Sequence, residues 1–89
     1  NEDLGDEGVI LLAEGLKKNA SVIEIDFSNN NISNTGANSI LDMLEVNLTL
    51  TTIHLAWNTI SDYKKAEINK ILAKRKTPVF NFSREISLP

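Results

Sequence analysis

The sequence predicts an α/β solenoid, a fold of short repeated units, and two observations lead to this prediction. The chain repeats itself every 28 residues, and each unit has the pattern of a strand, a turn and a helix. The apolar coincidences at this spacing are Leu4 with Ile32 and Ile60, Leu12 with Ile40 and Ile68, Leu16 with Leu44 and Leu72, and Ile25 with Ile53. A period between about 20 and 50 residues is typical of solenoids, in which each unit buries its apolar face against its neighbours.

The strand of each unit is indicated by alternation. After Val22, the apolar Ile25 and Phe27 alternate with Glu24 and Asp26, the period of a half-exposed strand, and a cluster of Ser and Asn follows as a turn. Because a helix separates consecutive strands, we expect parallel strands and right-handed crossovers. The strands then line one face of a curved stack, and the helices line the other.

Each helix is predicted to begin at a polar N-cap and to bury an apolar stripe with a period of 3.6 residues. The predicted helices run from about Asp6 to Lys18, from Ser33 or Asn34 to Asn47, and from Ser61 to about Lys74. Their predicted buried residues are Val9, Leu12 and Leu16, then Ala37, Ile40, Leu41 and Leu44, then Ile68, Ile71 and Leu72.

The repeat divides the single domain of 89 residues into about three units, followed by a terminal strand and tail; the bounds are 1–21, 22–49, 50–76 and 77–89. Phe80 and Phe82 continue the strand pattern after a one-residue deletion, which predicts the last strand. Because Asn1 is not Met and Leu4 is already in phase, we expect the C-terminal part of a longer array. Lys64, which stands where the preceding unit has a Gly, suits a terminal unit that faces water.

The composition excludes several classes of function. The absence of Cys excludes disulfides, thiolate catalysis and cysteine-ligated zinc, and it fits a reducing compartment, so we expect a cytoplasmic protein. No apolar run reaches the roughly 18 residues of a membrane span.

The net charge is −3, from −7 in residues 1–45 and +4 in residues 46–89, without the aromatic interleaving of a nucleic-acid site. A single His and scattered carboxylates predict no metal and no cofactor.

The segments VIEIDFSNNNI, from Val22, and LTTIHLAWNTI, from Leu50, follow the pattern LxxLxLxxNxI. This pattern resembles the leucine-rich repeat family over about residues 4–82. The 28-residue length, the helix GANSILDMLEVN and the N-x-T-L lead-in resemble its ribonuclease-inhibitor-like subclass. The resemblance implies a horseshoe-shaped solenoid with its strands on the concave side and its helices on the convex side. It also implies that a protein partner binds through the concave face and the rim where the strands end.

Asn30 and Asn58 stand at the Asn position of this pattern and are predicted to form a structural asparagine ladder. Where a strand leaves the sheet, its backbone N–H and C=O groups lose their partners while partly buried. A side-chain amide offers both donors and an acceptor, so stacked copies can satisfy the backbone of adjacent turns.

The candidate partner-binding residues lie between the apolar positions of the strands and just after them; they are Glu24, Asp26, Ser28, Thr52, His54 and Trp57. Trp57 is the strongest candidate, because a large ring at an exposed strand exit supplies apolar area at low entropy cost. The alternative is that its ring covers the rim of the core or packs on the terminal strand.

These residues favour a scaffold or sensor module that binds a protein. The alternative, implied by the resemblance, is a regulatory protein that acts on a small GTPase or caps a cytoskeletal filament. Ser28, His54 and Asp26 offer the residue types of a hydrolase, with His54 beside Asp26 on adjacent strands. An open sheet lacks the water-excluding pocket and oxyanion donors of such an enzyme, so we predict a polar pair and no catalysis. The oligomeric state is left open.

Overall fold

The computed structural model describes residues 4–76, which fold into helices stacked side by side with a small parallel sheet. The elements in chain order are α1 (Gly5–Leu16), β1 (Glu24–Asp26), α2 (Asn34–Val46), β2 (Thr52–His54) and α3 (Asp62–Lys76). Helix α2 packs against both α1 and α3, which gives the solenoid-like arrangement. Two strands do not define a curvature, so the horseshoe stays a prediction. The expected strand at Phe80 and Phe82 lies outside the described residues.

The two strands pair in parallel, as the repeat predicts. Glu24 lies opposite Thr52, and Asp26 lies opposite His54, so every pair is offset by 28 residues. Ile53, at the centre of β2, is buried, while the residues on either side of it are more exposed. The sequence repeat is therefore a spatial repeat, because each residue of β1 lies beside its own equivalent in β2.

The core lies between the helices and the strands, and the second and third units contribute most of it. Its fully buried side chains include Ile32, Ile40 and Leu50. Leu12 was predicted to be buried like its equivalent Ile40, but its exposed fraction is 47%. The physical reason is that α1 contacts one neighbouring helix among the described residues, whereas α2 contacts two. The wider contact of α2 also buries Met43, which the predicted stripe omits.

Ser33, one of the two predicted caps, is the N-cap of helix α2, and its Oγ accepts a hydrogen bond from Thr35 N at 3.3 Å. Asp6 was predicted to cap α1, and this prediction is wrong. Its carboxylate instead reaches the start of α2, where Oδ1 accepts from Ser33 N at 2.8 Å and from Gly36 N at 3.1 Å. The Ser33 hydroxyl donates to Oδ2. One unit therefore fixes the start of the next unit's helix.

The same kind of hydrogen bond, from the backbone at a helix start to a side chain of the preceding unit, recurs one unit later. Asn34 stands 28 residues after Asp6, and its Oδ1 accepts from Ser61 N at 2.9 Å. Ser61 was predicted to cap α3 with its hydroxyl, but that Oγ is buried and has no hydrogen-bond partner among the described residues. The side chain of the preceding unit again provides the acceptor at the helix start.

The approach of Asp6 requires a glycine at residue 36. A Cβ at Gly36 would lie 2.6 Å from the Asp6 Oδ1 atom and 2.8 Å from the Ile32 Cγ2 atom, closer than real Cβ contacts. Any other side chain would therefore displace the carboxylate from the backbone N–H groups that it accepts from.

A second set of bonds between units lies where the strands end. Asn58 Oδ1 accepts from Asn30 N at 3.0 Å and from Ile32 N at 2.9 Å, and its Nδ2 donates to Phe27 O at 2.9 Å. One unit earlier, Asn30 Oδ1 accepts from Leu4 N at 3.2 Å. These amides connect consecutive turns through backbone groups that the sheet leaves unpaired.

A third set of bonds between units lies at the opposite corner, where the helices end, and it was not predicted from the sequence. Asn47 is 2% exposed, and its Nδ2 donates to Leu16 O at 2.7 Å and to Asn19 O at 2.9 Å. Arg75 stands 28 residues after Asn47, and its Nη2 donates to Leu44 O at 2.7 Å. The guanidinium thus replaces an amide at the equivalent position, a substitution that the 28-residue spacing could have indicated.

Replacing Asn58 with Ala removes the acceptor of two backbone N–H groups and the donor to Phe27 O. We expect the free energy of unfolding to fall by about 1–3 kcal/mol, because partly buried backbone groups lose their partner. Urea denaturation measures the change. Asn38→Ala, at an exposed position of α2, is the matched control and should change stability by less than about 0.5 kcal/mol. Equal losses in both variants would contradict the ladder.

Replacing Asp6 with Asn tests whether the negative charge of Asp6 contributes to its hydrogen bonds with the start of α2. The hydrogen bond from the Ser33 side chain, supported by the backbone of Ser33 and Gly36, lowers the pKa of Asp6 below its ordinary value of 3.8. A lowered folded-state pKa stabilises the fold above the unfolded pKa, and this contribution is lost as the pH falls through the folded value. We expect Asp6→Asn to cost about 1 kcal/mol near pH 7, and less as the pH falls below about 4.

The matched control is Asp42→Asn, at an exposed carboxylate of α2. Chemical denaturation at a series of pH values gives both curves. A penalty for Asp6→Asn that grows toward acid pH would show that the cap does not depend on the ionised carboxylate.

Candidate functional site

The exposed side of the sheet, called here the strand face, consists of Glu24, Asp26, Thr52 and His54. Because side chains alternate along a strand, these four point away from the side that Ile25 and Ile53 present to the core. Glu24, Asp26 and His54 are exposed, and Thr52 is partly exposed. Ser28, a further predicted site residue, is half-buried at the strand exit.

The polar pair on the strand face joins His54 to Glu24. The His54 Nε2 and Glu24 Oε2 atoms are 2.7 Å apart, with side chains 48% and 62% exposed. The predicted pair of His54 with Asp26 is wrong: Asp26 lies directly opposite in the backbone register, but the His54 side chain turns to Glu24 instead. A pair this exposed contributes at most about 1 kcal/mol to stability, so it mainly orients the two side chains.

Asp26 is held by its own strand exit. Its Oδ1 accepts from Ser28 N at 2.9 Å. Hydrogen bonding from Ser28, through the side chain first and the backbone second, lowers the pKa of Asp26. The bonds of Asp26 and His54 therefore lead to Ser28 and Glu24, respectively. This is not the relay from Ser28 through His54 to Asp26 that a hydrolase requires.

Trp57 lies at the exit of β2 with 83% of its surface exposed and a left-handed backbone, φ 63°. A bulky residue seldom adopts this conformation, which costs roughly 1–2 kcal/mol. The equivalent residue one unit earlier is Asn29, with φ 58°, and Asn tolerates the left-handed region well. The backbone of Asn29 bonds to Ala56 O at 2.9 Å, so the two exits are stacked. This exposure excludes the alternative that the Trp57 ring covers the core. The other alternative, a contact with the predicted terminal strand, lies outside the described residues.

The structure thus brings Glu24, Asp26, Thr52 and His54 together on one face, with Trp57 at its rim. Asn30 and Asn58 lie beneath that rim, where they bond to backbone groups. Sequence reasoning missed the left-handed backbone of Trp57, although the Asn at the equivalent position was a signal for it.

The remaining described surface offers little for chemistry. A shallow apolar depression on α1 is lined by Glu7, Ile10 and Leu11. Among residues 4–76, no group of three or more His, Asp or Glu side chains is placed to hold a metal ion.

None of the helices in the described range has both the length and the apolar character needed to cross a membrane.

Comparison with known proteins indicates the class to which this fold and face belong. Residues 18–41 and 46–62 match a family model described as Leucine Rich repeat. The matched stretches include both strands, the strand exits and the first part of α2. The matches, together with the 28-residue stacking, support the leucine-rich repeat family for this chain.

Two curated proteins are similar in sequence. The chain is 32% identical over 62 residues to Leucine-rich repeat-containing protein 45 of Gallus gallus, a match that covers 70% of this chain and 9% of that protein. It is 31% identical over 88 residues to the Protein Cep78 homolog of Drosophila melanogaster, covering 93% of this chain and 11% of that protein. The chain therefore spans about a tenth of the length of these relatives.

Replacing Trp57 with Asn gives the strand exit the residue that the preceding unit uses. We expect the free energy of unfolding to rise by about 1 kcal/mol, because Asn adopts the left-handed conformation with less strain and the exposed ring contributes little packing. Urea denaturation measures the change. The control Tyr63→Thr removes another exposed aromatic, on α3, and installs the residue found 28 positions earlier. A loss of stability in Trp57→Asn alone would show that the ring supports the fold.

Proposed function

We propose that this chain is a protein-binding module that engages its partner through the strand face and Trp57. Leucine-rich repeat domains generally mediate protein–protein interaction. The observation that carries the proposal is the position of Trp57, 83% exposed in a left-handed conformation that its equivalent, Asn29, adopts at lower cost. A residue that is unfavourable for the fold and exposed to solvent is explained by contact with another molecule.

The physical properties of Trp57 suit the centre of an interface. An indole ring offers a large apolar area and loses little conformational entropy on binding. The strand face beside it supplies polar groups that can set orientation: the carboxylates of Glu24 and Asp26, the hydroxyl of Thr52 and the imidazole of His54. The short strands, connected by hydrogen bonds to the next unit, hold these groups on a fixed backbone.

We also propose that the repeats belong to the ribonuclease-inhibitor-like subclass and that the strand face is the concave side of a horseshoe. The 28-residue offset of the paired strands and the full helix of 13 residues in the middle unit support this. The alternative, regulation of a small GTPase or capping of a filament, depends on the family resemblance. No contact within residues 4–76 favours it.

The proposal is tested by quantitative affinity capture from a lysate of the source organism, with wild type compared to Trp57→Asn. We expect proteins that bind the wild type to be recovered at least about tenfold less with the variant, since truncation of a hot-spot aromatic costs about 2 kcal/mol or more. Urea denaturation of the same preparations establishes that the variant is folded.

Tyr63→Thr is the control, because it removes an exposed aromatic that lies on α3 and not at a strand exit. It should recover the same proteins as the wild type. If Trp57→Asn also recovers them in equal amount, the strand face and Trp57 do not form the binding surface.

A further inference from the structure

The charges of the described residues are separated between the strand face and the helices. The strand face has two carboxylates, Glu24 and Asp26, and the single imidazole of His54. Every Lys and Arg of residues 4–76 lies within or directly after a helix; they are Lys17, Lys18, Lys64, Lys65, Lys70, Lys74, Arg75 and Lys76. The face that carries Trp57 at its rim is therefore acidic, although the second half of the chain is basic.

We propose that the partner of the strand face is a basic protein segment, bound in an extended conformation with Arg or Lys at alternate positions. This inference rests on the proposed function and specifies the chemistry of the partner. The strand face and the exposed indole beside it are complementary to such a segment, because carboxylates pair with guanidinium or ammonium groups and the indole face attracts the same cations.

The spacing along the strand fits an extended partner. Glu24 and Asp26 are two residues apart on one side of β1, so their Cα atoms are separated by roughly 6.6 Å. Alternate side chains of an extended peptide have the same separation, so two of its cations can meet the two carboxylates in turn. Trp57 follows His54 by three residues, at the exit of β2, where a third cation, or the aliphatic part of its side chain, can pack on the ring.

The contacts within the strand face make one of the two carboxylates more available to an incoming cation than the other. Glu24 Oε2 is already engaged by His54 Nε2 at 2.7 Å, so an incoming cation competes with the imidazole there. Asp26 is exposed and is fixed by Ser28 N, a bond that orients its carboxylate without neutralising it. Asp26 is therefore expected to contribute more than Glu24 to binding of a basic segment.

The same charges disfavour other partners. A nucleic acid would bring its phosphates against Glu24 and Asp26, and an acidic peptide would bring its carboxylates there. Like charges placed together weaken association, so the strand face selects against both.

The test uses the 89-residue chain and the fluorescence of Trp57, its single Trp. The probe is a blocked peptide of alternating Arg and Ser, and the comparison peptides replace Arg with Gln or Glu. We expect the Arg peptide to shift the Trp57 emission and to bind at least about tenfold more tightly than either comparison peptide, with affinity falling as salt rises. Equal binding of the Glu peptide, or no binding of the Arg peptide, overturns the inference.

The double variant Glu24→Gln and Asp26→Asn removes the charges and keeps the hydrogen-bonding oxygens. We expect it to weaken binding of the Arg peptide by about tenfold, with the larger part from Asp26→Asn, since each partly exposed pair contributes roughly two- to fivefold. The control replaces two exposed carboxylates of α2, Asp42→Asn and Glu45→Gln, and should change affinity by less than about twofold.

Failure of this inference is distinguishable from failure of the proposed function. If the double variant binds the Arg peptide as the wild type does, the partner is not selected by these charges, while loss of captured proteins with Trp57→Asn still supports a binding surface at this face. If Trp57→Asn leaves both capture and peptide binding unchanged, the latter measured by calorimetry, both proposals are wrong.

Discussion

Consecutive turns of this chain are joined by side chains that bond to the backbone of the neighbouring turn, and the arrangement of the whole structure depends on these bonds. They occur at three corners of the unit: at the strand exit through Asn58, at the helix start through Asp6, and at the helix end through Asn47. With strands of only three residues, the sheet alone satisfies few backbone groups. The side chains at the corners satisfy groups that would otherwise be buried without a partner, and that penalty is larger than the net gain of an ordinary hydrogen bond.

These bonds also determine how the strand face is presented. Asn58 bonds to Asn30 and Ile32 directly beneath the exits of both strands, so the exits cannot shift independently. Trp57 is the residue immediately before Asn58, and its left-handed backbone is held by a neighbour bonded to three carbonyl groups. The strain at Trp57 is therefore local, and the surrounding contacts maintain it.

The stacking could be predicted from the sequence because burial between units demands an apolar residue at every equivalent position. Ile25 and Ile53 indicated the register, and the turn formers indicated where the strands end. Side-chain directions could not be predicted in this way. Asp6 is a suitable cap for its own helix by local rules, and only the packing of α1 on α2 shows that it reaches Ser33.

The residues that form the candidate site could be predicted from the sequence, but the hydrogen bonds between them could not. Alternation along β1 and β2 indicated which residues are exposed, since it depends on the backbone alone. The preference of His54 for Glu24 over Asp26 depends on rotamers and on the competing bond from Ser28, which no spacing encodes. Leu12 shows that the apolar pattern alone does not determine burial. It falls at a position that is buried in the next unit, but it is exposed because of how few helices surround α1.

The offset of 28 residues shared by all three corners has a consequence for how such a chain can change in length. Duplication of a whole unit, such as residues 22–49, would place each of these side chains against the same backbone groups in the neighbouring unit, because every corner finds its counterpart one period away. A gain or loss of any other length within a unit would misalign the strand exits, the helix starts and the helix ends together. The architecture thus permits growth in whole steps and resists partial ones, and the strand face would lengthen by one row of side chains with each step.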